Sequence, residues 1–194
     1  MTDSFTRKED LRKKARTRLN GLPAEIQAEA SRAITEKLLS SPLFSACKTL
    51  FVYVSIPGEP DTARLIRSAI ESGKTVCVPR CGKDGKMDAV PIGDLSQLTG
   101  AGPFGIPQPN GNIAPIDPKQ IDLVIVPCVA AGTSGERLGH GAGYYDRFLA
   151  ACLGTSVCLC FDALLTDGIP MDRHDVFMEN VITEKNWYAK EADE

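Results

Sequence analysis

No stretch of this 194-residue chain is apolar for long enough to cross a bilayer, and its first residues are charged, without the apolar core of a secretory signal. The early acids Asp3, Glu9 and Asp10 also speak against a mitochondrial transit peptide. Histidine is scarce, with two residues, and Cys77 and Cys81 have no matching Cys/His pair at zinc-finger spacing, which argues against a structural zinc module. No nucleophile triad is evident. The densest glycine loop, Gly139-His-Gly-Ala-Gly143, is not closed by Gly-Lys-Ser/Thr and lacks the Gly-x-Gly-x-x-Gly spacing of dinucleotide folds. A net charge of −3 disfavours nucleic-acid binding by the surface as a whole.

What is present is an ordinary soluble composition, 43% hydrophobic and 24% charged, in a length that suits one domain over residues 1–194. Seven cysteines, an odd number, fall mostly in apolar strand-like segments at Cys77, Cys128, Cys158 and Cys160. That usage fits a reducing compartment, and the expected location is the cytoplasm. Cys81 and Cys152 are the thiols expected to be more open to oxidation.

Patterning predicts an α/β fold. Thr6-Arg-Lys-Glu9 reads as a capping box opening a helix over 7–19, stopped by Asn20-Gly21. That helix carries Arg7, Lys8, Arg12, Lys13, Lys14, Arg16 and Arg18, with Lys8 and Arg12 one turn apart. It is either a solvated basic surface or a cationic arm over a polyphosphate. Pro23 opens a second helix with Ile26, Ala30, Ile34 and Leu38 as its stripe, and Asp61 caps a third. Strands are expected at 49–55, 75–79, 122–127 and 156–160, with Lys83–Lys86 a hairpin turn and 87–92 a returning strand. Residues 100–118 read as a long loop. This rhythm implies an open, largely parallel twisted sheet with helices on both faces. Ligands of such sheets bind beyond the carboxyl ends of the strands, where 55–61, 79–86 and 127–146, with 161–167 a further candidate, are expected to converge. Glu59 sits there in a proline-braced turn.

The loop Arg137-Leu-Gly-His-Gly-Ala-Gly-Tyr-Tyr-Asp-Arg147 follows a buried strand and leads into an expected helix over 144–152. Alternate glycines let backbone amides converge on phosphate oxygens, and a helix start adds positive potential. Arg137 adds a fixed cation and Asp146 a carboxylate, which suits phosphate arriving with Mg²⁺. Tight strand-to-helix packing is the bland alternative for the same glycines.

This word closely resembles that of the 5-formyltetrahydrofolate cyclo-ligase family, also called methenyltetrahydrofolate synthetases. Tyr53-Val-Ser55 with Glu59-Pro-Asp-Thr62, Pro79-Arg80, Lys86-Met87, Gly105-Ile-Pro-Gln-Pro109 and Met178–Glu184 extend the resemblance over nearly the whole chain. It implies ATP binding by Lys8, Arg12, Arg137, Leu138, Gly139, His140, Gly141, Ala142, Gly143, Tyr144 and Tyr145. It implies substrate contacts at Val54, Glu59, His140, Gly141, Ala142, Gly143 and Tyr144. Asp146 and Glu179 would hold Mg²⁺, with Asp175 a spare carboxylate, and Arg137 and Asp146 would be catalytic. The implied reaction is ATP-driven closure of 5-formyltetrahydrofolate to 5,10-methenyltetrahydrofolate, with small-molecule partners and no nucleic acid, membrane or obligate protein partner. Gln108, Ala131-Gly132, Ala142 and Glu179 depart from the family pattern; Glu179 stands for an aspartate. A same-fold paralogue acting on another formylated metabolite, and a non-catalytic nucleotide or RNA module, are the rival readings. His174 is expected to be structural.

Overall fold

Alternating apolar strands and amphipathic helices fold as the patterning requires. The computed structural model describes residues 2–82 and 85–190, so Lys83 and Asp84, half of the expected hairpin turn, lie outside the described residues. The helices are α1 (Thr2–Asn20), α2 (Ala24–Leu39), α3 (Pro42–Ala46), α4 (Ala63–Glu71) and α5 (Tyr144–Leu149). The long strands are β1 (Thr49–Val52), β2 (Thr75–Cys81) and β3 (Met87–Ile92). After the two-residue strands β4 (Gly100–Ala101) and β5 (Pro107–Gln108) comes β6 (Leu123–Val126). Two further short strands, β7 (Ala130–Ala131) and β8 (Arg137–Leu138), precede β9 (Thr155–Leu159), β10 (Asn180–Ile182) and β11 (Trp187–Ala189).

Seven strands form one sheet in the order β11-β10-β9-β6-β1-β2-β3. The five inner strands are parallel, and β11 and β3 close the edges antiparallel. Parallel strands covered on both faces need apolar residues at every position, and Leu123–Val126 is buried throughout. From β1 to β2 the chain steps one way along the sheet, and from β6 to β9 it steps the other. Right-handed crossovers then place α4 and α5 on opposite faces. Phe148 of α5 stacks on Phe51 of β1, with ring centroids 4.4 Å apart. The reversal also creates a crevice between the carboxyl ends of β1 and β6, the place where α/β sheets hold ligands.

Five local expectations change. α1 begins four residues before Thr6, and Glu9 pairs with Arg12 at 2.5 Å instead of folding back as a capping box. Ser/Thr-x-x-Glu is also compatible with a helix interior, so the pattern alone could not mark the start. Ile26 is exposed, while Ala30, Ile34 and Leu38 carry the buried face of α2. At α4 the cap position is Thr62, although the Asp61 carboxylate does accept the Ala63 N–H at 2.9 Å. The α5 helix ends at Leu149 rather than Cys152, and the 100–118 loop contains the small β4–β5 ladder.

Candidate active site

The crevice is built from four segments. β1 ends in a turn whose shape is set from below: the buried Tyr53 hydroxyl donates to Pro60 O at 2.7 Å, and Thr62 Oγ1 donates to Tyr53 O at 2.8 Å. Burial holds the Tyr53 phenol well above its ordinary pKa, so it stays a donor. The turn presents Val54, half-buried, and Glu59, whose side chain is only 7% exposed. Glu59 Oε2 accepts the Ile56 N–H at 3.1 Å, and Oε1 meets His140 Nε2 at 3.2 Å. His140 itself is 58% exposed. The two lips of the crevice therefore touch through residues 81 apart.

The second segment is the glycine-rich loop. β7 and β8 pair as a small ladder, Ala131 opposite Arg137, and deliver Arg137 and Leu138 buried at its root. Arg137 does not reach outward. Its side chain is 4% exposed, Nη2 donates to Asp146 Oδ1 at 2.8 Å, Nη1 donates to Pro127 O at 3.4 Å, and the guanidinium lies 5.7 Å from the Tyr145 ring centroid. Its Nε is buried without a partner among the described residues. Gly139 crosses directly over it: a Cβ there would stand 2.8 Å from Nη1. Gly141 and Gly143 have φ of 101° and 68°, the left-handed region that glycine enters freely. Gly141 and Ala142 are exposed, while Gly143, Tyr144, Tyr145 and Asp146 are half-buried.

α1 supplies the third segment and divides its cations. Arg7, Lys13, Lys14, Arg16 and Arg18 are exposed, whereas Lys8 and Arg12 turn inward. Arg12 Nε donates to Gly139 O at 2.9 Å, and its guanidinium stands beside Gly141. Lys8 Nζ is gripped by Asp172 at 2.6 Å and Asp175 at 2.5 Å. Burial works against the Lys8 ammonium, but the two carboxylate hydrogen bonds outweigh it and raise its pKa. One face of the basic helix is solvated, and the other turns Lys8 and Arg12 toward the body of the protein.

The chain after Asp175 is the fourth segment. Val176 N–H points at Asp146 Oδ1, 3.4 Å away. Asp146 Oδ2 accepts no hydrogen bond among the described residues, so one carboxylate oxygen is open to a metal ion. A single carboxylate beside substrate phosphates is an ordinary magnesium arrangement. One oxygen of Glu179 is held elsewhere. Its Oε2 accepts Ser156 N–H at 2.7 Å and Ser156 Oγ–H at 3.2 Å, at the start of β9. Ser156 lies level with Val124, and Pro127 is three residues further up that strand, about 10 Å at strand rise. The longer glutamate is spent on that strand end. Among the described residues no group of three or more His, Cys, Asp and Glu is placed to enclose a metal.

Two of the family-variant segments, Gln108 and Ala131-Gly132, lie outside the glycine-rich loop. Gln108 Oε1 accepts Cys81 N–H at 3.0 Å, and Ala131 and Gly132 are buried in the ladder under Arg137. His174, expected to be structural, is exposed. Sequence reading passed over Arg147, which donates to Gly85 O and Ala142 O, and over the amide of Val176; neither carries a local pattern beyond its place near the loop. No described helix is long and apolar enough to cross a membrane.

Sheet, switch point and loop define an α/β enzyme with a glycine-lined, cation-flanked crevice at the carboxyl ends of its parallel strands. The profile of the 5-formyltetrahydrofolate cyclo-ligase family matches residues 4–184. A relative from Caenorhabditis elegans named a probable 5-formyltetrahydrofolate cyclo-ligase is 32% identical, with 91% of this chain and 92% of the relative covered. The 5-formyltetrahydrofolate cyclo-ligase of Mycolicibacterium smegmatis is 33% identical over 71% of this chain and 74% of its own. The NMR structure of Aquifex aeolicus 5,10-methenyltetrahydrofolate synthetase superposes with a TM-score of 0.85 at 30% identity, covering 96% of this chain and 94% of that one. The chain belongs to the 5-formyltetrahydrofolate cyclo-ligase family and is a ligase.

Proposed function

We propose that the protein converts 5-formyltetrahydrofolate and ATP to 5,10-methenyltetrahydrofolate, ADP and phosphate. The observation that carries this reading is the Arg137–Asp146 pair at the root of a glycine-rich loop whose opposite lip presents Glu59. One wall suits phosphate and the other suits a hydrogen-bonding heterocycle, and they meet at the topological switch point.

In this reaction the formyl oxygen attacks the γ-phosphorus and the bond to the ADP oxygen breaks, giving a phosphorylated imidate. The N10 amine then attacks the activated carbon. Its proton leaves to solvent, the carbon–oxygen bond to phosphate breaks, and the ring closes. Phosphoryl transfer of this kind relies on positioning and charge neutralisation rather than a protein nucleophile. The amides of residues 139–143 would cradle the phosphates, with Leu138 and Tyr145 packing the loop's underside. Arg12 is already placed at the loop, and Lys8 would turn to phosphate from Asp172 and Asp175. Arg137 acts from beneath, holding Asp146 in one orientation. Magnesium, held by Asp146, would neutralise phosphate charge. Glu59 and Val54 would orient the pterin, with His140 and Tyr144 at its edge. Seven free thiols suit a reducing compartment, and we place the enzyme in the cytoplasm.

The test is spectrophotometric. Purified protein is mixed with ATP, Mg²⁺ and 5-formyltetrahydrofolate, and the near-ultraviolet band of the methenyl product is followed. Growth of the band, lost in Asp146→Ala and Arg137→Ala, is expected. A flat trace from folded protein that still binds ATP would overturn the reading.

A further inference from the structure

Arg147 is exposed one turn into α5, and its side chain bridges two separate stretches of backbone. Nε and Nη2 donate to Gly85 O at 3.3 and 2.9 Å, and Nη2 also donates to Ala142 O at 3.0 Å. The guanidinium carbon lies 5.6 Å from the Tyr144 ring centroid, and the Tyr144 hydroxyl donates to Gly82 O at 3.1 Å. The first turn of α5 thus holds both sides of the β2–β3 connection while holding its own glycine-rich loop. A planar guanidinium suits such a bridge, because its fixed fork reaches two carbonyls at once.

The surrounding glycines leave room for this fork. A Cβ on Gly143 would stand 2.8 Å from Arg147 Nη1, and one on Gly85 would stand 3.1 Å from Nη2. Both glycines have positive φ, at 68° and 78°. Small residues occur on either side of the Arg147 side chain that joins the two segments.

Gly82 and Gly85, the described ends of the β2–β3 connection, lie at the carboxyl end of β2, next to β1, and so form an outer wall of the crevice. The glycine-rich loop follows the β7–β8 ladder, which leaves β6 on the other side of β1. We propose that Arg147, with Tyr144 beneath it, is a positioning residue that fixes the gap between these walls, and so the alignment of the phosphate with the second substrate. This rests on the reaction proposed above and deepens it. Arg147 does not touch reacting atoms; it acts through the backbones at Gly85 and Ala142. Because reaction rates fall steeply with small misplacements, a loosened gap should cost rate more than binding.

The experiment compares wild type, Arg147→Ala and Arg147→Lys in four measurements: kcat, KM for 5-formyltetrahydrofolate, ATP affinity by calorimetry, and amide hydrogen exchange. For Arg147→Ala, kcat should fall about 10- to 100-fold, with ATP affinity held within about threefold. Amides of residues 79–82 and 85–88 should exchange faster, with those of β6 unchanged. Lysine, which reaches one carbonyl, should recover part of kcat. An unchanged kcat would overturn the proposal, as would a loss of kcat matched by an equal loss of ATP affinity. Absence of turnover in the wild type would instead sink the proposed reaction. Exchange would then judge the clamp alone, and unaltered exchange at 79–82 and 85–88 in Arg147→Ala would overturn it too.

Discussion

Arg137 and Asp146, nine residues apart, meet at 2.8 Å beneath the glycine-rich loop, the arginine side chain 4% exposed and the aspartate 21%. The pair is nearly enclosed on the arginine side and open on the aspartate side, so the cation orients a carboxylate that faces the crevice. Asp146→Asn keeps the shape and removes the charge. It should lower turnover by about 100-fold or more. Stability should fall by about 1–3 kcal/mol, since the buried guanidinium loses its counter-charge. Denaturant titration and the methenyl assay check the two effects separately, and a variant retaining more than about a tenth of wild-type turnover would contradict the role.

Lys8 tethers α1 to the 170s segment, and its pH response follows from two shifts. The hydrogen bond from Lys8 lowers the Asp172 pKa below 3.8. Its contribution is complete above that ordinary value and is lost as pH falls through the lower folded one. The Lys8 pKa is raised above 10.5, so its contribution is complete below 10.5 and is lost as pH rises through the higher folded value. The tether should hold across the neutral range and release only at the extremes. Following the α1 amides by NMR against pH tests this; release between pH 5 and 9 would refute it. Lys8→Ala should raise the KM for ATP by about tenfold at neutral pH.

Glu59 bonds the Ile56 amide with one oxygen and meets His140 with the other. Glu59→Gln preserves an acceptor for the amide and replaces the second oxygen by a donor. We expect KM for 5-formyltetrahydrofolate to rise about tenfold, with ATP affinity unchanged. Parallel loss of both affinities would mean that the turn supports the whole crevice instead of the folate wall.

The thiols should be sluggish. Burial pushes Cys152 up to about 11 and Cys77 up to about 12. At pH 8 about one Cys152 in a thousand is thiolate, and fewer at Cys77. Mass spectrometry after iodoacetamide at pH 8 should find both largely unmodified in the native protein and rapidly modified in denaturant. Prompt native alkylation of Cys152 would contradict this.

Four of the five parallel strands were legible because residues buried on both faces leave unbroken apolar runs, as Leu123–Val126 does, whereas the three-residue β10 is too short to show one. The glycine-rich loop was legible because its residues are contiguous. Less legible were features decided by partners far along the chain. Nothing near Lys8 announces Asp172 and Asp175, and nothing near Glu179 announces the Ser156 amide that takes its carboxylate. Arg137 looked like a cation at the edge of a phosphate site, yet the β7–β8 ladder draws it underneath. Local pattern locates a residue on an element; only packing decides which way its charge points.

The tether between α1 and the 170s segment joins residues separated by 164 and 167 positions. A ribosome making this chain delivers Lys8 of the basic helix 164 residues before the first of its acidic partners. Until then neither carboxylate that grips Lys8 in the fold exists. The tether cannot form before the 170s segment has been made, so closure of the crevice by α1 has to follow that segment.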